Sequence, residues 1–556
     1  MRVLFAVVCL ALAGTAPALE TARSLAAAGA SRLALSRVEQ LQPGDAGAPR
    51  WAEWESLRMR LLADLGRNDE ALQRAARLPS GMPLASLRQC LAAAARAAVA
   101  AGQGAVARRY AARLLWQLEP DADDIRAARL LVVESHLAEG GGEPAFRAML
   151  RFEQDYRPLA RETAERFVEA LLDLGMAREA VNWLASLEDG GALKLRLRLR
   201  AGLLPADQAI PPARAALAKG GGAAYWQVLA DAAERSGNGA LGVEALESML
   251  QHRPDDDAAR SRVLAARLWR AYAGLAQATA NREHLLTGQE TAWYDFATRR
   301  LGPSPFEARA LFAHVARSET AGETRRSAQL RLVYSLRQSG LDRAALHLYR
   351  DAAGNPDALD PRARFLLGDI AASHRAPGLA VRLWRGLETP AGLDADAWRI
   401  RFATVQWRAG EVDEARSAMR GVLRRDAPLS PAAQAQALAL ARETRDAGAT
   451  GPAEEILLGL LAVAGQPVRR DALSALGDLA EAAGRYPAAA DYYLRAALDD
   501  DTRLADAAAI RARLAAAVNL SRAGYRRDAR AQYRWLLKHS GDPTLIETAR
   551  RELAQP

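Results

Sequence analysis

The chain has 556 residues, 50% hydrophobic and 25% charged, with 75 Lys and Arg against 66 Asp and Glu and a formal charge of +9. That is an ordinary globular balance with enough apolar material for a large core. Of its two cysteines, Cys9 lies in an apolar leader and Cys90 remains alone, which excludes an intrachain disulfide once the leader is removed. Alanine and leucine dominate, and both lose little side-chain freedom in a helix, so the first expectation is an all-helical chain.

The first elements in chain order form a leader over residues 1–18. Met1 and Arg2 supply a positive charge, Val3–Gly14 is unbroken apolar or small, and Ala16-Pro17-Ala18 places small residues at both cleavage-determining positions. This is the layout of a secretory signal peptide cut after Ala18. Val8 precedes Cys9 where a lipoprotein signal carries a small residue. No later segment reaches 18 apolar residues without charge, so no transmembrane segment is expected in the mature chain.

From residue 19 to 219 a helix–glycine–helix pattern recurs. Its marks are Leu62, Gly66, Ala71 and Ala75, then Ala98, Gly102, Ala107, Ala111 and Pro120, then Phe167, Leu171, Gly175, Ala180 and Leu184. Leu193–Arg200 alternates leucine with Lys194, Arg196, Arg198 and Arg200 at strand period. No strand partner is legible nearby. Read as a helix, the run puts leucines on both flanks and lets the arginines reach out as an anion-binding strip or snorkel over apolar surface. Gly140–Gly142 and Gly220–Gly222 read as loops, and the second is the expected boundary between two blocks.

A further unit occupies 223–263, with Trp226, Leu229, Ala230, Ala233, Gly237, Leu246 and Pro254 in register. Between 264 and 325 the pattern weakens while aromatic residues gather, among them Trp269, Trp293, Tyr294, Phe296 and Phe312, and Pro303 and Pro305 interrupt the segment. An irregular helical insert is expected there. Over 326–556 the pattern returns with Leu332, Gly340, Ala345 and Tyr349, and with Leu367, Gly368, Ala371, Ala380 and Trp384, where Arg375 stands in the turn. Phe402, Ala403, Gly410, Ala415 and Met419 follow, and Leu520, Gly524, Ala529 and Tyr533 close the series.

The fullest unit is Leu473, Leu476, Gly477, Ala480, Gly484, Tyr486, Ala489, Tyr493 and Ala496. It resembles the tetratricopeptide repeat at nearly every signature place. Small residues at Gly477 and Ala489 allow two helices to approach, and Gly484 ends the first helix in a left-handed turn that is cheap for glycine. Tyr493 and Ala496, three apart, share the face of the second helix that packs on the first. The spacing is looser than the family's: Gly484 and Gly524 stand 40 residues apart where the repeat is about 34. The resemblance implies an all-α right-handed superhelix (an α-solenoid) of antiparallel helix pairs over most of the mature chain.

Catalytic and ligand motifs are missing. None of the seven histidines lies three or four residues from another, and no HExxH, Cys/His cluster, phosphate-binding Gly-rich loop or nucleophile elbow occurs. No metal or cofactor is expected. The triplets Asp255–Asp257 and Asp499–Asp501 are expected to cap helix N-termini. Soluble lytic transglycosylases resemble this chain in their helical superhelix, and their catalytic glutamate sits in a Glu-Ser context. Here Glu-Ser occurs at Glu55-Ser56, Glu134-Ser135 and Glu247-Ser248, all inside repeat helices.

The function expected is therefore a periplasmic binding scaffold that holds a protein partner or extended peptide in the concave groove of the superhelix. Envelope assembly or exopolysaccharide export is the expected setting, and a peptidoglycan-associated relative of the transglycosylases is the alternative. Anionic polysaccharide is a second partner class that the positive charge admits; nucleic acid is not expected in that compartment. Partner contacts are expected from Trp293, Tyr294, Arg299 and Arg300, and from Arg196, Arg198 and Arg200, because aromatics and arginines anchor interfaces most often. Exposure decides the aromatic set: an anchor keeps its ring accessible, whereas a plug between blocks is buried.

Overall fold

A computed structural model describes residues 18–118, 121–253, 258–280, 289–318, 322–351, 354–424, 427–499 and 506–554. The leader up to residue 17, Asp255–Asp257, Asp500 and Asp501 lie outside the described residues. Among the described residues every regular element is a helix and none is a strand. No described helix is long and apolar enough to cross a membrane. The chain divides into two compact units, Met1–Asn238 and Gly239–Pro556.

In the first unit, the helix over 18–27 buries Leu19 and Ala22 with Leu35, Trp54 and Leu62. Helix pairs follow. Trp51–Asp64 turns at Gly66 into Asn68–Ala75, and Leu84–Ala100 turns at Gly102 into Gly104–Gln117. Ala122–Ala138 turns at Gly140 into Gly142–Asp155, and Arg161–Asp173 turns at Gly175 into a short helix continued as the 3-10 turn Val181–Ser186. Ala192–Arg200 leads through Gly202 to Ala206–Ala218, and Ala224–Ser236 closes the unit. The Leu/Arg run is thus helical. Leu195, Leu197 and Leu199 are all buried and the arginines between them are half-buried, because this helix packs against both Arg161–Asp173 and Ala224–Ser236.

The expected boundary at Gly220–Gly222 is instead a turn inside the first unit. Ala206–Ala218 packs on Ala224–Ser236 across it, and the Tyr225 hydroxyl donates to the Gly190 carbonyl at 3.0 Å. Packing therefore continues through the glycines, and the division falls at Asn238–Gly239.

The second unit opens with Gly239–Gln251, the long helix Ala258–Thr279, Glu290–Arg300 and Pro305–Ala316. Within 264–325 the described residues stay largely helical, and Pro305 starts a helix at its first turn, where its missing N–H costs nothing. Regular pairs follow: Glu323–Gln338 with Asp342–Tyr349, Pro361–Ser373 with Pro377–Trp384, and Ala395–Arg408 with Val412–Leu423. Pro431–Asp446 then pairs with Thr450–Val463, Gln466–Ala482 with Tyr486–Leu498, and Ala507–Arg522 with Arg526–His539, before Pro543–Ala554.

Two local rules explain the pairing. Asp360, Asp394, Ser430 and Asp506 each cap a first helix by accepting from backbone N–H groups of its first turn. Gly477 lies directly under the Tyr493 ring, where an added Cβ would stand 2.6 Å from ring carbon; Gly368 bears the same relation to Trp384. Asp499 departs from its expected role. It sits at the C-terminal end of Tyr486–Leu498 and pairs with Arg469 at 2.8 Å, while Asp506 caps the helix that follows.

Candidate partner-binding surfaces

First helices of successive pairs in the second unit carry arginines and acids that meet across the pairs. Asp369 accepts from Arg337 of the preceding first helix at 2.8 Å and from Arg401 of the following one. Arg408 grips both Glu443 oxygens at 2.7 and 2.8 Å, Arg442 reaches Asp471 at 3.0 Å, and Arg470 reaches Asp506 at 2.7 Å. Partners stand between 29 and 36 residues apart in sequence, one repeat step. These side chains are partly exposed, and exposed pairs contribute about 0–1 kcal/mol each. The ladder orients charge more than it stabilises.

Between these rungs lies a cavity of 370 Å³ shared by Pro361–Ser373, Ala395–Arg408 and Pro431–Asp446. Ala372, Val405, Ala439 and Leu440 provide its apolar lining, and Asp369, Arg401, Arg408 and Glu443 its charged walls. Gln436 also lines it, and its Oε1 is buried with no hydrogen-bond donor among the described residues. A buried amide oxygen without a donor costs about 1–3 kcal/mol. None of these residues was singled out in the sequence. The charged ones are ordinary helix-surface residues and Val405 and Leu440 ordinary core ones, and the signal is the repeat-length offset between an arginine and an acid.

The expected anchors are placed differently. Trp293 is 4% exposed and its ring centre lies 4.3 Å from that of His314. It fills the seam between Glu290–Arg300 and Pro305–Ala316 as a plug, and burial lowers the His314 pKa. Tyr294 is half-buried, 5.5 Å from Phe312, and its hydroxyl accepts from Arg331 at 3.4 Å. Arg300 pairs with Glu307 and lies over the Phe296 ring at 4.8 Å from its centre, and Arg299 lies 6.0 Å from the same centre. Of the four, Arg299 alone is exposed.

The strip of Arg196, Arg198 and Arg200 is likewise partly committed. Asp231 is fully buried and accepts from Arg196 at 3.0 Å and Arg200 at 2.6 Å. Burial alone would raise the Asp231 carboxyl; the Arg200 hydrogen bond and the Arg196 charge outweigh it and hold the group below the usual carboxylate range. Removing an internal acid from water requires such partners, so two of the three arginines serve Asp231. Arg198 stays half-buried between them.

All three Glu-Ser glutamates are held by arginine. Glu55, 2% exposed, accepts from Arg74 at 2.7 and 2.5 Å and from Gln42 at 2.6 Å. Glu134 is paired with Arg166. Glu247 is 1% exposed, gripped by both prongs of Arg309 and by the Tyr272 hydroxyl at 2.6 Å. Burial pushes the Glu247 carboxyl up, with Arg309 and Tyr272 pulling against it. A general acid needs a substrate within reach, and these carboxylates face guanidinium groups. Among the described residues no group of three His, Cys, Asp or Glu is placed to hold a metal ion.

No family model matches the chain, and no curated protein sequence does. Among solved structures, the chain is similar to the APC/C hetero-tetramer Cut9–Hcn1, at 11% identity over 96% of this chain and 95% of that one, with a TM-score of 0.28. It is similar to the pentatricopeptide repeat protein PPR10 from maize, at 13% identity over 97% and 90%, TM-score 0.27. A circular tandem repeat protein with novel repeat topology matches at 16% identity over 98% and 94%, TM-score 0.11. The class of the protein rests on its own helices: an all-α array of helix pairs with the small-residue and aromatic positions of the tetratricopeptide template.

Proposed function

We propose that the chain is an exported, periplasmic scaffold that holds an extended stretch of a partner protein along the first helices of its second unit, in envelope assembly or exopolysaccharide export. The observation that carries the binding role is the groove containing Gln436. It combines an apolar lining, paired charges on both walls and an acceptor without a donor, which suits a peptide backbone flanked by polar side chains. Export is supported by the layout of residues 1–18, with small residues at 16 and 18 ahead of the buried Leu19.

Ala439 is exposed within the groove and is the position for a photo-crosslinking side chain. Irradiated cells should yield a discrete protein adduct that an additional Arg408→Glu change removes. Absence of an adduct, or one indifferent to Arg408→Glu, counts against the groove. Protein recovered from the periplasm should begin at Leu19; retention of Met1 in a cytoplasmic fraction overturns the export reading.

A further inference from the structure

In the first unit the second helices of two successive pairs, Gly104–Gln117 and Gly142–Asp155, leave a cavity of 680 Å³ between them, floored by the first helix Ala122–Ala138. The corresponding second helices Val412–Leu423 and Thr450–Val463 close up, with a Cβ at Gly459 standing 2.9 Å from Leu423. The gap is therefore particular to this place and not a requirement of the repeat. Trp116 stands at its rim, 82% exposed. Leaving an indole in water forgoes a large apolar burial, and an exposed aromatic at the mouth of an open cavity is the kind of apolar surface that interaction sites present.

The lining settles the chemistry of the occupant. Val132 and Phe152 form an apolar interior, and Arg129, Arg147 and Arg151 ring it. Arg129 is paired with Asp155, and Arg147 with Glu143 in a largely exposed contact that a ligand can exchange. Arg151, exposed one helical turn beyond Arg147, has no ion-pair partner among the described residues. Among the described lining residues Gln154 is the only amide, with the His136 ring and the Trp116 indole N–H the other neutral hydrogen-bonding groups, so a chain of sugar hydroxyls finds few partners. We propose that this cavity takes an acidic peptide segment of a partner protein, its apolar side chain inserted beside Trp116 and its flanking carboxylates on Arg147 and Arg151. This is a second site on the scaffold proposed above, separate from the first-helix groove.

The test uses the full chain and a fluorescein-labelled peptide with leucine and phenylalanine between aspartates and glutamates, followed by polarisation. Saturable binding should weaken about tenfold in Trp116→Ala and in Arg151→Glu, as truncating an interface anchor does, and should be unchanged in Arg408→Glu. Trp116 is exposed, so its removal leaves the fold intact, which the circular dichroism spectrum checks. No saturable binding, equal binding by Trp116→Ala, or binding of an oligo-uronate in place of the peptide each overturns the proposal. Loss of binding in Arg408→Glu alone also overturns it while sparing the groove.

Discussion

Arg309 grips Glu247 through two guanidinium nitrogens, at 2.7 and 2.6 Å, with both side chains almost fully buried. The remaining guanidinium nitrogen donates to Ser339 at 3.2 Å, and the Tyr272 hydroxyl donates to the same carboxylate. The network joins Gly239–Gln251, Ala258–Thr279, Pro305–Ala316 and Glu323–Gln338, so it fixes the start of the second unit.

Glu247→Ala should cost about 3–5 kcal/mol, because it leaves the Arg309 charge buried without a partner. The double change Glu247→Leu with Arg309→Met should cost clearly less. Urea unfolding followed by circular dichroism measures both; equal losses would show that the pair does not act as a unit.

Acid should loosen the start of the first unit. The Arg50 guanidinium, hydrogen-bonded to Glu53 at 2.9 Å, holds the Glu53 carboxyl down to about 2, with Arg23 adding to the effect. A depressed acid stabilises fully above its unfolded value near 4.5 and loses that contribution as pH falls towards 2. The pair is a third exposed, so the contribution is about 1 kcal/mol or less. Protection factors against hydrogen exchange in Trp51–Asp64, corrected for the intrinsic slowing of exchange in acid, should fall over that window, and Glu53→Gln should abolish this part of the pH dependence.

Gly477→Ala should destabilise the pair Gln466–Ala482 and Tyr486–Leu498 by about 1–3 kcal/mol, the usual cost of overpacking, since the new Cβ meets the Tyr493 ring. Adding Tyr493→Ala should make the glycine change nearly neutral. A double-mutant cycle with no coupling would contradict the close approach.

Arg375 occupies a left-handed turn, φ 58°, where neighbouring pairs place glycine. Nothing but a rare backbone conformation is relieved by Arg375→Gly, which should therefore stabilise this pair by about 1 kcal/mol. A fall in melting temperature would mean that the arginine side chain compensates for its backbone.

Turns were the most legible part of the fold. Gly66, Gly102, Gly175, Gly237, Gly340, Gly410, Gly484 and Gly524, all read from the sequence, have positive φ, because only a residue without Cβ enters that region cheaply. The helix pairs turning at Gly202 and Gly448 were not distinguished, since Pro211-Pro212 obscures one and the other lacks aromatic signature residues. Partner surfaces were least legible. Trp293 reads as an anchor by type, yet burial makes it a plug; Arg196 and Arg200 read as a free strip, yet Asp231, one repeat away, claims them. Residue type carries no record of which helix lies opposite, and that alone separates these outcomes.

The arginine–acid ladder gives the second unit a mechanical property. Its rungs from Arg337 to Asp506 tie each first helix to the next through partly exposed charge, and such attraction decays over about 8 Å at physiological ionic strength and about 3 Å in molar salt. Neighbouring pairs are thus held by apolar packing on one side and by an electrolyte-sensitive tether on the other. Salt should therefore soften this stretch by no more than each rung contributes, about 0–1 kcal/mol, and leave the apolar side of the pairs in place.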